Sequence, residues 1–102
     1  MSIPNIHREG TTLNIEIQGG FNLWVKNMIL NHINNYTHAL KIDLTECKFI
    51  DSEGIIFLHQ WQQKGKDLQL INPPDVFFEI LEILELDDSW QPNITNTNEE
   101  SL

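Results

Sequence analysis

The sequence predicts an α/β domain built on a mixed, mostly parallel sheet of four to five strands with about three main helices. Three observations carry that expectation. Apolar and polar residues alternate with a period of two over residues 12–18 and 40–44, and Leu68 and Leu70 repeat the pattern. Apolar residues recur at helical spacing in the stretches between and after these segments. The resulting order of strand, helix, strand, helix, strand, helix requires crossovers that pair strands in parallel with right-handed connections.

Residues 1–10 are polar and contain Pro4 and Gly10; a short edge strand around residues 3–7 fits there, with the first strands forming an antiparallel edge. In residues 12–18, Leu13, Ile15 and Ile17 share one face and Asn14, Glu16 and Gln18 the other, as in a half-buried strand. Gly19-Gly20 ends it and turns the chain into a helix from about Asn22 or Leu23 to Asn34. Val25, Met28, Ile29, Ile33 and Tyr36 mark its apolar face. Trp24 lies off that stripe and reads either as a ring covering the core edge or as an anchor facing a partner.

Residues 39–64 organise the rest. After the alternating strand, Asp51-Ser52-Glu53-Gly54 interrupts the apolar run, and Ile55, Leu58 and Trp61 then recur at helical spacing. The helix begins near Asp51 or Ser52, both residue types whose side chains accept bonds from unpaired first-turn N–H groups. It ends near Lys64-Gly65, where glycine suits the C-terminal cap. On physical grounds Asp51 and Ser52 serve as caps. A hydroxyl there also sits in the positive field of a helix N-terminus, which accommodates a phosphate.

A strand at Leu68 to Ile71 follows, and Asn72-Pro73-Pro74-Asp75 opens the last helix. Phe77, Ile80, Leu81 and Leu84 form its core stripe, widened by Phe78, Ile83 and Leu86. Asp75, Glu79, Glu82 and Glu85 lie opposite, as a solvated face or a docking surface for a basic partner. The domain is expected to occupy residues 1–90. From Gln91 onward, Pro92, the Asn/Thr alternation and Glu99-Glu100 read as a disordered tail, residues 91–102.

Ile42-Asp43-Leu44, followed by Phe49-Ile50-Asp51-Ser52-x-Gly54-Ile55, resembles the STAS family of anti-sigma factor antagonist domains. The resemblance runs on through Asp67 to Asn72, Pro74 and the apolar helix after it, and so covers roughly residues 11–90. It implies a STAS-like fold and a non-catalytic binding module in a partner-switching cascade. It implies that Ser52 is phosphorylated by a partner that is both anti-sigma factor and serine kinase, and dephosphorylated by a phosphatase. Asn22, Asp51, Glu53, Gly54 and Ile55 would surround it at the partner interface. Glu53 stands where the family often has a small residue, and Asn22 where it often has an aspartate. Similar small STAS proteins dock permanently on the ATPase of a lipid-transport ABC system, which is the alternative the resemblance offers.

Composition limits the rest. One hundred and two residues suit one domain. Six Lys and Arg against fifteen Asp and Glu give a net charge of −9, which disfavours nucleic acid and anionic lipid and favours a basic partner. Cys47 is the only cysteine, so no internal disulfide forms. His7, His32, His38 and His59 show no metal-ligand spacing, and no Gly-rich phosphate loop or nucleophile motif appears. No metal, cofactor or enzymatic activity is expected. No apolar run approaches the roughly 18 residues of a membrane span, and no N-terminal signal pattern is visible. The expectation is a cytoplasmic protein with no direct membrane insertion.

Overall fold

The computed structural model describes residues 3–97. Strands β1 (Asn5–Glu9), β2 (Thr12–Glu16) and β3 (Gly19–Phe21) lead into helix α1 (Leu23–His32). Strands β4 (Ala39–Asp43) and β5 (Cys47–Ile50) precede α2 (Ser52–Gln63); then come β6 (Asp67–Ile71), α3 (Asp75–Ile83) and β7 (Asn93–Thr95). Five strands form one sheet in the order β1-β2-β4-β6-β7, and β3 and β5 form a separate pair. Only β1 runs antiparallel, against β2; the other pairings are parallel. The α/β reading and the mixed, mostly parallel sheet agree with this architecture.

The alternation in the strands fixes the two faces of the sheet. Leu13, Ile15, Leu40, Ile42, Leu68 and Leu70 are all buried in one core. Asn14, Lys41 and Gln69 stand beside one another in register on the polar face. Val25 and Ile29 of α1, Ile55, Leu58 and Trp61 of α2, and Phe77 and Leu81 of α3 close the same core. Each such large apolar side chain contributes roughly 1.5–3 kcal/mol on burial. Helix α2 touches both α1 and α3, so it is buried on more than its predicted stripe, and Phe57 joins the core as well.

Several expectations are corrected. Gly19-Gly20 is not a turn but the start of β3, which pairs with β5. The loop expected before α2 contains β5 itself; both strands are too short to show a period in sequence. Tyr36 does not join the apolar face of α1, because the helix stops at His32; its ring is 74% exposed. Phe78 and Ile83 are also exposed.

The tail expected from residue 91 is a strand over its first part. Pro92 precedes it, and β7 adds to the sheet beside β6, with Gln69 paired to Asn93, Leu70 to Ile94 and Ile71 to Thr95. Asn72 fastens the end. Its Nδ2 donates to the hydroxyls of Thr45 and Thr97, both at 2.8 Å, and its Oδ1 accepts from Thr97 N–H at 2.8 Å. Trp90 is buried, and its Nε1 donates to Gln62 Oε1 at 2.8 Å. The chain therefore stays packed past residue 90. Residues 98–102 of the expected tail lie outside the described residues.

Removing residues 92–102 is expected to lower unfolding stability by about 2 kcal/mol, from the lost packing of Ile94 and the lost Asn72 and Gln69 bonds. Urea denaturation of the full and shortened chains measures this; an unstructured tail would leave the midpoint unchanged.

Candidate functional site

The β3–β5 pair exists to be followed by helices. Phe21 and Ile50 are register partners at the ends of parallel strands. Each is followed at once by a cap residue, Asn22 and Asp51. Paired strands lie about 4.8 Å apart, so α1 and α2 begin side by side. Asp51 N–H donates to the Phe21 carbonyl at 3.1 Å and ties the two starts together.

Both caps are made. Asn22 Oδ1 accepts from Val25 N–H at 3.0 Å, and Asp51 Oδ1 accepts from Gly54 N–H at 3.1 Å. Each satisfies a first-turn donor that would otherwise be orphaned. The macrodipoles of α1 and α2 therefore place partial positive charge at one end of the domain. Strand C-terminal ends beside helix N-termini are the usual binding end of such sheets.

Ser52 is the first residue of α2 and is exposed. Among the described residues its hydroxyl has no hydrogen-bond partner; the capping is done by Asp51, one residue earlier. This separates two roles that the sequence left merged. Glu53 is also exposed and reaches across to α1, where its Oε1 lies 3.5 Å from Lys26 Nζ. An ion pair this open contributes about 0–1 kcal/mol.

Gly54 and Ile55 point inward. A Cβ on Gly54 would lie 3.1 Å from the Phe21 ring and 3.2 Å from Ile50, so the glycine lets α2 settle on the strand pair. Ile55 is 0% exposed and belongs to the core. Its expected place at a partner surface is therefore corrected: position 55 lies on the face of α2 that packs on the sheet. Ile56, the next residue, is 37% exposed and one turn beyond Ser52 on the same face of the helix.

Three further features escaped sequence reasoning. Phe49 of β5 is 57% exposed, and its ring lies over Gly20, where a Cβ would come within 2.4 Å of it. Leu23 opens α1 and is likewise exposed; beside it Trp24, expected either at the core edge or facing a partner, is 41% exposed. Lys26 of α1 is the partner of Glu53. The two strand–cap–helix runs, Gly-Gly-Phe-Asn and Lys-Phe-Ile-Asp, are the signal that announces the arrangement. The result is an exposed hydroxyl among carboxylates, with apolar rings displayed nearby.

The comparisons with known proteins bear on this arrangement. The family model described as "Mlab, STAS domain" matches residues 7–95. The chain belongs to the STAS family.

Solved structures share the fold to differing extents. The anti-sigma factor antagonist SpoIIAA in its unphosphorylated form is 14% identical, with a TM-score of 0.68 over 95% of this chain and 91% of that one. The Bacillus cell fate determinant SpoIIAA in its phosphorylated form is also 14% identical, with a TM-score of 0.69 over 95% of this chain and 93% of that one. A structure described as Mglu is 17% identical, with a TM-score of 0.54 over 70% of this chain but 19% of its own. No curated protein matches the chain. At these identities the likeness is one of fold. Among the described residues no group of His, Cys, Asp or Glu is arranged to hold a metal ion, and no helix is long and apolar enough to cross a membrane.

Cys47 lies close by but is buried, and burial raises its thiol pKa above the ordinary value of 9.0, against the opposing effect of backbone bonds with Phe49 and Phe21. A folded-state pKa that is raised favours the protonated thiol. Stability from this group is therefore complete below the unfolded thiol's pKa and declines as pH rises through it toward the folded value. Urea midpoints from pH 7 to 10 should fall more for the wild type than for Cys47→Ala; parallel curves would contradict this. Asp51→Ala should cost about 1 kcal/mol through the lost cap. Ser52→Ala should change stability by no more than about 0.5 kcal/mol, because its exposed hydroxyl bonds nothing. Equal losses for the two variants would show that Ser52 shares the capping.

Proposed function

We propose that this STAS domain is a non-catalytic protein-binding module that acts in the cytoplasm as an anti-sigma factor antagonist in a partner-switching cascade. Reversible phosphorylation of Ser52 sets its state. A partner that is both anti-sigma factor and serine kinase adds the phosphate, and a phosphatase removes it. The observation that carries this reading is the free, exposed hydroxyl of Ser52 on the first turn of α2, one residue after the side chain that does the capping.

The switch is electrostatic. A phosphoserine adds about −1.5 to −2 charges and three strong acceptor oxygens. The N-termini of α1 and α2 offset part of that charge within the domain. A partner surface that fits a hydroxyl instead meets a dianion, and burying that charge without a partner opposes docking. Unmodified domain binds and modified domain releases. Asn22, Asp51 and Glu53 form the polar surround of the contact, Gly54 seats the helix beneath it, and Ile56 with Phe49 supplies apolar area.

A second reading has the same face docking permanently on the ATPase of a lipid-transport ABC system. Two observations favour it. The matching family model is described as Mlab. Glu53 places a carboxylate next to Ser52, where a phosphate would meet like charge.

Co-purification separates the two readings, since a kinase-like anti-sigma factor supports the first and a transporter ATPase the second. With the kinase and ATP, mass spectrometry should find one phosphate on the wild type and none on Ser52→Ala; an active kinase that leaves Ser52 unmodified removes the switch. Ser52→Asp should weaken partner affinity by tenfold or more, as an unpaired carboxylate would be buried against a surface that fits a hydroxyl. The purified domain should turn over neither ATP nor GTP.

A further inference from the structure

The net charge is not spread evenly along the chain. Up to Lys66, six carboxylates balance six cations. From Asp67 to the end there are nine carboxylates and no Lys, Arg or His. The whole of the −9 therefore belongs to the segment that builds β6, α3 and β7, and the end of the domain bearing Ser52 draws on a neutral segment.

Within the acidic segment lies a groove of about 300 Å³ between α3 and the chain leading into β7. Phe78, Leu81, Trp90, Pro92 and Ile94 give it apolar walls, and Glu82 and Asp87 stand at its rim. Phe78 is 44% exposed although the α3 face next to it is closed on the core. Its ring is braced edge-on against Phe77, which meets Trp90 in the same manner. Trp90 is fixed in turn by its bond to Gln62 and by an edge-on contact with His59. The walls are thus preorganised, which lowers the ordering cost of a bound group. Gln62 sits about 15 Å along α2 from Ser52, at roughly 1.5 Å per residue, so the groove is at the other end of that helix.

We propose that this groove is a second docking surface, for a segment of a protein partner that carries an apolar anchor flanked by Lys or Arg. The charge selects this occupant. A second copy of the chain brings the same acidic segment and is repelled. The chain's own last residues carry Glu99 and Glu100, charges of the same sign as Glu82 and Asp87, and are disfavoured as an occupant. Anionic lipid and nucleic acid are repelled likewise. A cationic apolar segment gains on both counts: its anchor enters the walls, and its flanking charges meet Glu82 and Asp87. Electrostatic attraction of this kind speeds encounter and weakens with salt.

The test is an NMR titration of the full chain with three synthetic peptides, one of alternating Lys and Leu, one of Glu and Leu, and one of Lys and Gly. The Lys/Leu peptide should shift the amides of Phe78, Leu81 and Ile94 and the indole N–H of Trp90, and its binding should weaken as salt is raised. Phe78→Ala should reduce affinity at least fivefold, Glu82→Gln with Asp87→Asn by a similar factor, and the other two peptides should bind at least tenfold more weakly. Shifts centred on Asn22, Ser52 and Ile56, equal binding by the variants, no binding at all, or the same shifts produced by concentrating the protein without peptide would each overturn the proposal. The peptides do not probe phosphorylation, so the outcome is independent of the Ser52 switch.

Discussion

The geometry where α1 and α2 begin depends on one backbone hydrogen bond and what lies beneath it. Asp51 N–H meets the Phe21 carbonyl, and the fully buried Phe21 ring fills the space that Gly54 leaves open. The bond joins the last residue of one strand to the cap of the other strand's helix. It makes the starts of α1 and α2 a single unit rather than two separate loops. Once they are fixed together, Asn22 and Asp51 serve as adjacent caps, Lys26 can reach Glu53, and Ser52 has no direction to face but outward. The glycine is part of the same constraint: a Cβ at position 54 would press on the buried Phe21 and Ile50 at 3.1 and 3.2 Å.

Ser52 is separated from what stabilises the fold. The apolar faces of five strands and three helices supply the stability, and the cap of α2 is made by Asp51. A hydroxyl with no structural duty can gain or lose a charged group while the domain stays folded. The ion pair between Lys26 and Glu53 is too exposed to contribute much energy. Helix α2 runs from this end to the acidic groove, which it meets through Gln62 and Trp90.

Much of this could be read from the sequence, because long periodic segments declare themselves. The alternation around Leu13 and Ile15, the stripe from Ile55 to Trp61 and the cap at Asp51 follow from residue type and spacing, and each was placed within a residue or two. What was hidden has a common cause. β3, β5 and β7 are three or four residues long, too short to show a period, and each gains its shape from a neighbouring strand. Gly19-Gly20 carries the residue types of a turn, yet pairing with β5 holds it extended. Asn93–Thr95 has the composition of a tail, yet β6 and Asn72 hold it in the sheet. At the site, Ser52, Asp51 and Asn22 were visible as helix starts. Ile55 was misassigned because sequence adjacency to Ser52 says nothing about which way a helical side chain points. Phe49 was missed because an exposed ring over a glycine depends on a contact across nearly thirty residues.

A partner is expected to make contact at the paired starts of α1 and α2. Hydrogen exchange on the domain, free and bound to the partner captured with it, tests this most directly. The account predicts slowed exchange over residues 22–26 and 49–57, with the polar sheet face around Asn14, Lys41 and Gln69 unchanged. Protection confined to that sheet face, or to α3 and β7, with residues 49–57 exchanging as in the free protein, would contradict it.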